Sequence, residues 1–236
     1  VRKFDLAKES PEKLVSHVAD RNKWFRQAAR RELLIRDEKS VGGSIRIPKL
    51  SSDGIRSAGQ IALELLWAKN ICSPITEAEQ LGLLESADPY IRLWAIRLAC
   101  DDRVISDGLA KRLLDLAYRE PDVAVRSQLA SSVRHLPAAQ ALPIVKQLAQ
   151  RSEDVDDIHV PLLLWWAIEN KADSDRDAVL FRFSDKAFWD QPLVSKHLIE
   201  RLMRRYTATG QRKDLLTAAK LLELAPTKEH ASKLVA

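Results

Sequence analysis

Asp88-Pro89-Tyr90-Ile91-Arg92-Leu93-Trp94-Ala95-Ile96-Arg97-Leu98 is the stretch that organises this 236-residue chain, because it returns along the sequence in degraded copies. With Ile91-Arg92 as anchor, the pattern is an apolar residue, a basic one next, and apolar or small residues four and eight positions after the first. That spacing keeps one face of a helix apolar. Copies begin at Phe25 (Arg26, Ala29, Leu33), Ile55 (Arg56, Gly59, Leu63), Ile91 (Arg92, Ala95, Ala99), Val125 (Arg126, Leu129, Val133), Ile158 (His159, Leu162, Trp166) and Val194 (Ser195, Leu198, Leu202). The anchors stand 30, 36, 34, 33 and 36 residues apart.

A period in the thirties built of helices predicts an all-α fold, an α-α superhelix of about six hairpins forming one domain over residues 1–236. An Asp precedes every anchor by two to five residues: Asp20, Asp53, Asp88, Asp122, Asp156 and Asp190. A carboxylate there accepts from the unpaired N–H groups of a helix start and meets the positive end of its dipole. Arg26, Arg56, Arg92 and Arg126 read as a ladder pairing with those acids between stacked repeats, and a row binding phosphate is the alternative. His159 replaces the arginine in the fifth copy, where a simple ladder would end. On this reading Arg92→Ala costs about 1–3 kcal/mol.

Between the anchors lie their partner helices. Ser10-Pro11 starts the first, Thr76 to Glu79 spell a capping box, Ser106 caps a helix from 107, and Pro137 precedes another at 138–151. Residues 37–54 interrupt the pattern with Val41-Gly42-Gly43-Ser44 and Pro48, and read as an irregular insertion or a degenerate helix. Gly42-Gly43 lacks the flanking strand and Gly-Lys-Ser/Thr of a phosphate loop.

Formal charge is +5, unevenly spread: residues 1–50 carry thirteen Lys/Arg against seven Asp/Glu and residues 194–236 nine against four, so the centre is acidic. Basic ends around an acidic centre argue against a continuous nucleic-acid groove. No run of eighteen apolar residues exists, so no membrane span is expected. The chain opens Val1-Arg2-Lys3-Phe4, without an initiator Met, and is expected to be a fragment of a larger protein.

Three groups invite a chemical reading. In the acidic run ending at His159, Asp154, Asp156 and Asp157 could offer oxygen ligands to a hard cation, but without an EF-hand's glycine or twelfth-position glutamate they read as an acidic loop capping the next helix. Trp165-Trp166, in an all-round apolar segment 161–168, is either core or an aromatic platform, with one ring facing the preceding layer and the other the rim. Cys72 and Cys100 belong to no Cys-x-x-Cys or Cys-x-x-Cys-His, and read as buried thiols. No catalytic, cofactor-binding or metal-ligating residue is assigned.

The apolar-Arg-x-x-Ala pattern after Asp-Pro resembles HEAT-type repeats, which are antiparallel helix pairs. Asn22-Lys23-Trp24-Phe25-Arg26-Gln27-Ala28-Ala29-Arg30-Arg31, Leu65-Leu66-Trp67-Ala68, residues 91–98, Val125-Arg126-Ser127-Gln128-Leu129-Ala130-Ser131 and Asp156-Asp157-Ile158-His159-Val160-Pro161-Leu162 in that order resemble one lineage more closely. It is the repeat region of planctomycete-type secreted proteins that join a sorbosone-dehydrogenase-like propeller, HEAT-like repeats and a haem-binding cytochrome c domain. The resemblance covers about residues 3–170. It implies a non-catalytic scaffold or protein-interaction domain with no cofactor of its own, in an exported or periplasmic dehydrogenase-like parent. The partners it implies are neighbouring domains of the same chain or another protein. The competing reading is a nucleic-acid-binding HEAT-like module related to alkylation-repair DNA glycosylases.

Overall fold

The computed structural model describes residues 5–49 and 55–235, the side chains of 55–57 excepted. Asp53 and the Arg56 side chain therefore lie outside the described residues. The fold is all-α: fourteen α-helices and no strand occur among the described residues. The chain divides into two compact units, Val1–Ala95 and Ile96–Ala236.

In the first unit, α1 (Pro11–Val18) and α2 (Lys23–Ile35) form a hairpin, and α3 (Ile55–Cys72) packs on both. Helix α4 (Glu77–Leu83) follows, then the start of α5 (Pro89–Cys100). Local chemistry explains the starts. Ser10 Oγ accepts from Lys13 N ahead of Pro11, Asn22 caps α2 through Trp24 N, and Thr76 with Glu79 closes the expected capping box. The interruption at 37–49 is part of the core. Val41 and Ile45 are buried in one cluster with Leu14, Val18, Ala29, Leu33, Ala68 and Cys72, so this stretch does the packing of a missing helix. Gly42 permits it: a Cβ there would lie 2.6 Å from Ser73 Cβ and 2.9 Å from the Cys72 carbonyl oxygen. The Gly42 carbonyl accepts from Lys69 Nζ at 3.1 Å, so this glycine serves close packing.

In the second unit, helices α6 (Asp107–Arg119), α7 (Val123–Val133), α8 (Ala138–Ala149), α9 (Val160–Glu169), α10 (Arg176–Arg182), α11 (Lys186–Trp189), α12 (Ile199–Thr207), α13 (Arg212–Glu223) and α14 (Lys228–Val235) fall into two layers. Helices α6, α8, α10 and α13 pack in succession as one layer, and α7, α9, α12 and α14 as the other. The layers also pack on each other, α8 against both α7 and α9 and α13 against α12. A π-helical stretch, Val194–Leu198, runs directly into α12.

The fifth copy sits in a different register from the one expected. Ile158, Leu162 and Trp166 are 82%, 37% and 40% exposed, whereas Val160, Leu164 and Ile168 are buried. The cause is the cap. Asp157 Oδ1 accepts from both His159 N and Val160 N at 2.8 Å, which starts α9 at Val160. With Val160 as anchor the last spacings become 34, 35 and 34 residues, and Asp88, Asp122 and Asp157 all stand three before their anchors. Pro161, not His159, then occupies the arginine position.

No helix among the described residues is long and apolar enough to cross a membrane.

Candidate functional site: arginine clamps and two tryptophan grooves

The anchor arginines do form a repeated device, but their acids are not the ones expected. Asp88 and Asp122 accept from N–H groups of their own helices, Tyr90 N at 2.8 Å and Ala124 N at 2.8 Å, and Asp20 accepts from Asn22 N at 2.7 Å. The arginines instead donate Nη1 to the carbonyls six and five residues earlier. Arg26 reaches Asp20 O and Arg21 O (3.0 and 2.9 Å), Arg92 reaches Ser86 O and Ala87 O (2.8 and 3.1 Å), and Arg126 reaches Glu120 O and Pro121 O (3.0 and 2.9 Å). The remaining N–H groups go to an acid farther along: Arg26 Nε to Glu64 at 3.2 Å, and Arg126 Nε and Nη2 to the two oxygens of Asp154, at 2.6 and 2.5 Å. Arg126 and Asp154 are both buried. This fork-to-fork pair holds the Arg126 guanidinium even more firmly in its charged form than usual, chiefly through the Asp154 hydrogen bonds.

Arg176 makes a comparable long-range pairing without belonging to an anchor and without the two backbone carbonyls. It pairs with buried Asp214 and donates to Thr217 Oγ1 at 3.2 Å. The Thr209 hydroxyl first, and Arg176 after it, hold the Asp214 carboxyl below its ordinary 3.8 against the opposing effect of burial. A carboxylate so depressed stabilises the fold above that ordinary value and ceases to as pH falls through its folded-state pKa. Asp214→Asn is therefore expected to lower stability at pH 7 and to flatten its loss below pH 3.8, read from denaturant midpoints across an acid series.

The acidic loop is dispersed by the fold. Asp154 belongs to Arg126, Asp156 to Lys196 Nζ at 2.6 Å, Asp157 to the α9 cap, and Glu153 to Arg151 at 2.7 Å. Among the described residues no group of three or more His, Cys, Asp or Glu is placed to hold a metal ion. Cys72 and Cys100 are free and buried, and burial pushes both thiols up, that of Cys100 to about 12. Neither is expected to react with Ellman's reagent until the protein unfolds, when both should; native-state reaction would contradict the packing.

Two grooves remain. In the first unit, about 520 Å³ is lined by Lys23, Arg26 and Arg30 of α2, Glu64 and Trp67 of α3, and Trp94 of α5. Its cations are largely engaged: Arg26 and Arg30 converge on Glu64, which is 3% exposed, and Arg30 also lies 4.7 Å from the Trp67 ring centroid. Trp67 meets Trp94 edge-on at 5.0 Å. In the second unit, about 300 Å³ is lined by Arg134 at the end of α7, Trp166 and Glu169 of α9, Asn170 after it, and Arg205 of α12. Of the adjacent tryptophans, Trp165 is buried and Trp166 faces this groove, the division between layer and rim expected from the sequence. Arg205 reads from the sequence as part of the outer face of a basic amphipathic helix over 192–208, whereas Arg134 falls late in its anchor helix, outside the repeated motif.

The sequence matches no family model, no curated protein and no solved structure.

Proposed function

We propose that this chain is a non-catalytic HEAT-like helical-repeat scaffold, a module that holds neighbouring domains or a partner protein in fixed relation. The observation that carries the reading is the arginine clamp. The buried arginine of the Arg126–Asp154 clamp and the engaged Arg26 and Arg176 connect successive repeats, so their charge is committed to rigidity. Stiff stacked hairpins suit a spacer, because rigidity is what keeps attached domains at a set separation. The likeness of residues 3–170 to the repeats between a propeller and a cytochrome c domain supports the same role in an exported dehydrogenase-like parent.

The test exchanges residues 1–236 in the full-length gene product for a Gly/Ser linker of equal reach. A scaffold predicts flanking domains that keep their own spectra and folding while their separation in small-angle scattering becomes broad. An unchanged separation overturns the reading.

The second reading, a nucleic-acid-binding HEAT-like module, is favoured by the Trp166 groove alone. Unlike those of the first groove, Arg134 and Arg205 make no hydrogen bond or ion pair among the described residues.

A further inference from the structure

We propose that the groove on α7, α9 and α12 is a binding site for single-stranded nucleic acid, with one base stacked on Trp166 and the phosphates on either side of it held by Arg134 and Arg205. The inference rests on the second reading above and gives it a location.

Four observations carry it. Helix α9 packs against α7 on one side and α12 on the other, so the indole has one arginine-bearing helix on each flank. A chain crossing the three helices would meet a cation, an aromatic face and a cation, the order of phosphate, base and phosphate along a strand. The side chains of Arg134 and Arg205 have no hydrogen-bond or ion-pair partner among the described residues, and Arg201, one turn before Arg205 on the same face, has a buried Nη1 without a hydrogen-bond partner. Trp166 is 40% exposed, on the same outer face of α9 as Leu162 at 37%, which leaves a face for stacking.

The fourth observation concerns Asn170, which lines the groove. Lys171 is 8% exposed, and among the described residues its ammonium hydrogen-bonds to Asn170 Oδ1 alone, at 2.9 Å. An ammonium can only donate, so that contact fixes the Asn170 amide and leaves its NH₂ as the group available to the groove. The donors are thus two guanidiniums and an amide backed by a buried cation, against the single carboxylate of Glu169. That balance selects an anion, and the indole selects one carrying a planar ring. The Glu169 carboxylate and the open side of the groove suit a base edge on a strand passing through.

The test measures anisotropy of a labelled oligothymidylate of about ten nucleotides on the full chain across a salt series. Binding that weakens with salt is expected. Arg134→Gln with Arg205→Gln should reduce the salt slope by about 1.4, from ~0.7 for each phosphate contact on a single strand. Trp166→Ala should weaken binding by about five- to a hundredfold with the slope unchanged, and Trp166→Phe should restore most of it. Unfolding curves matching the parent's establish that the variants fold.

Absence of binding overturns the proposal, as does binding indifferent to Trp166. Equal affinity for a sulfated oligosaccharide or an acidic peptide would reduce the groove to a general polyanion surface, and a duplex bound as tightly as the single strand would remove the stacked base. None of these results bears on the linker exchange, which reads domain separation and not ligand binding.

Discussion

Replacing Arg126 with alanine is expected to cost about 3–5 kcal/mol, because it leaves the Asp154 carboxylate buried without its partner. The loss has two parts. Asp154 forfeits both charge-assisted bonds, and the carbonyls of Glu120 and Pro121 lose the donor that joins them to α7. Arg126→Lys should recover little, since one ammonium cannot present the planar fork that meets two carboxylate oxygens and two carbonyls together. Asp154→Asn should cost less than Arg126→Ala, because an amide still accepts one bond. Urea midpoints of the two single variants and the double variant check this. Near-additive losses would show that the pair is not the unit described, since coupled neighbours give a large interaction energy.

Trp189→Ala is expected to be of similar size, about 3–5 kcal/mol, through a different cause. Trp189 is fully buried, meets Phe183 and His230 edge-on at 5.7 and 5.8 Å, and donates its indole N–H to the Phe183 carbonyl at 2.8 Å. Alanine leaves a cavity where α10, α11 and α14 converge. Trp189→Phe separates the contributions, because it keeps a ring but strands the carbonyl, and about 1–3 kcal/mol should remain. Chemical denaturation of both variants is the measurement. A phenylalanine variant as stable as the parent would mean the hydrogen bond contributes nothing.

The periodicity carried the helices. Ser10, Thr76, Ser106 and Asp122 announce their caps in the sequence because capping is local chemistry, settled within three or four residues. The partners of the arginines were not legible for the opposite reason. Glu64 lies 38 residues from Arg26 and Asp154 lies 28 from Arg126, so the pairs exist only once hairpins have stacked. The fifth register was misread because Ile158-His159 imitates the apolar-basic anchor, while the competing signal, Asp157 two residues before His159, looked like one more member of an acidic run. The grouping of Arg134 with Arg205 was hidden for a related reason. Neither is unusual in its own helix, and only the packing of α9 between α7 and α12 brings them to one indole.

Pro161 in place of a clamp arginine has a mechanical consequence. A proline side chain has no donor, so the step from α9 to α12 depends on shallower attachments: Lys196 to the exposed Asp156 at 2.6 Å, and His197 Nε2 to the Val155 carbonyl at 2.8 Å. A stack whose links are equally strong tears anywhere under tension, but one with uneven links gives way first at a soft one. One such soft step adjoins the Trp166 groove, so a load pulling on the chain would strain the seam where α9 meets α12 before the Arg126–Asp154 clamp.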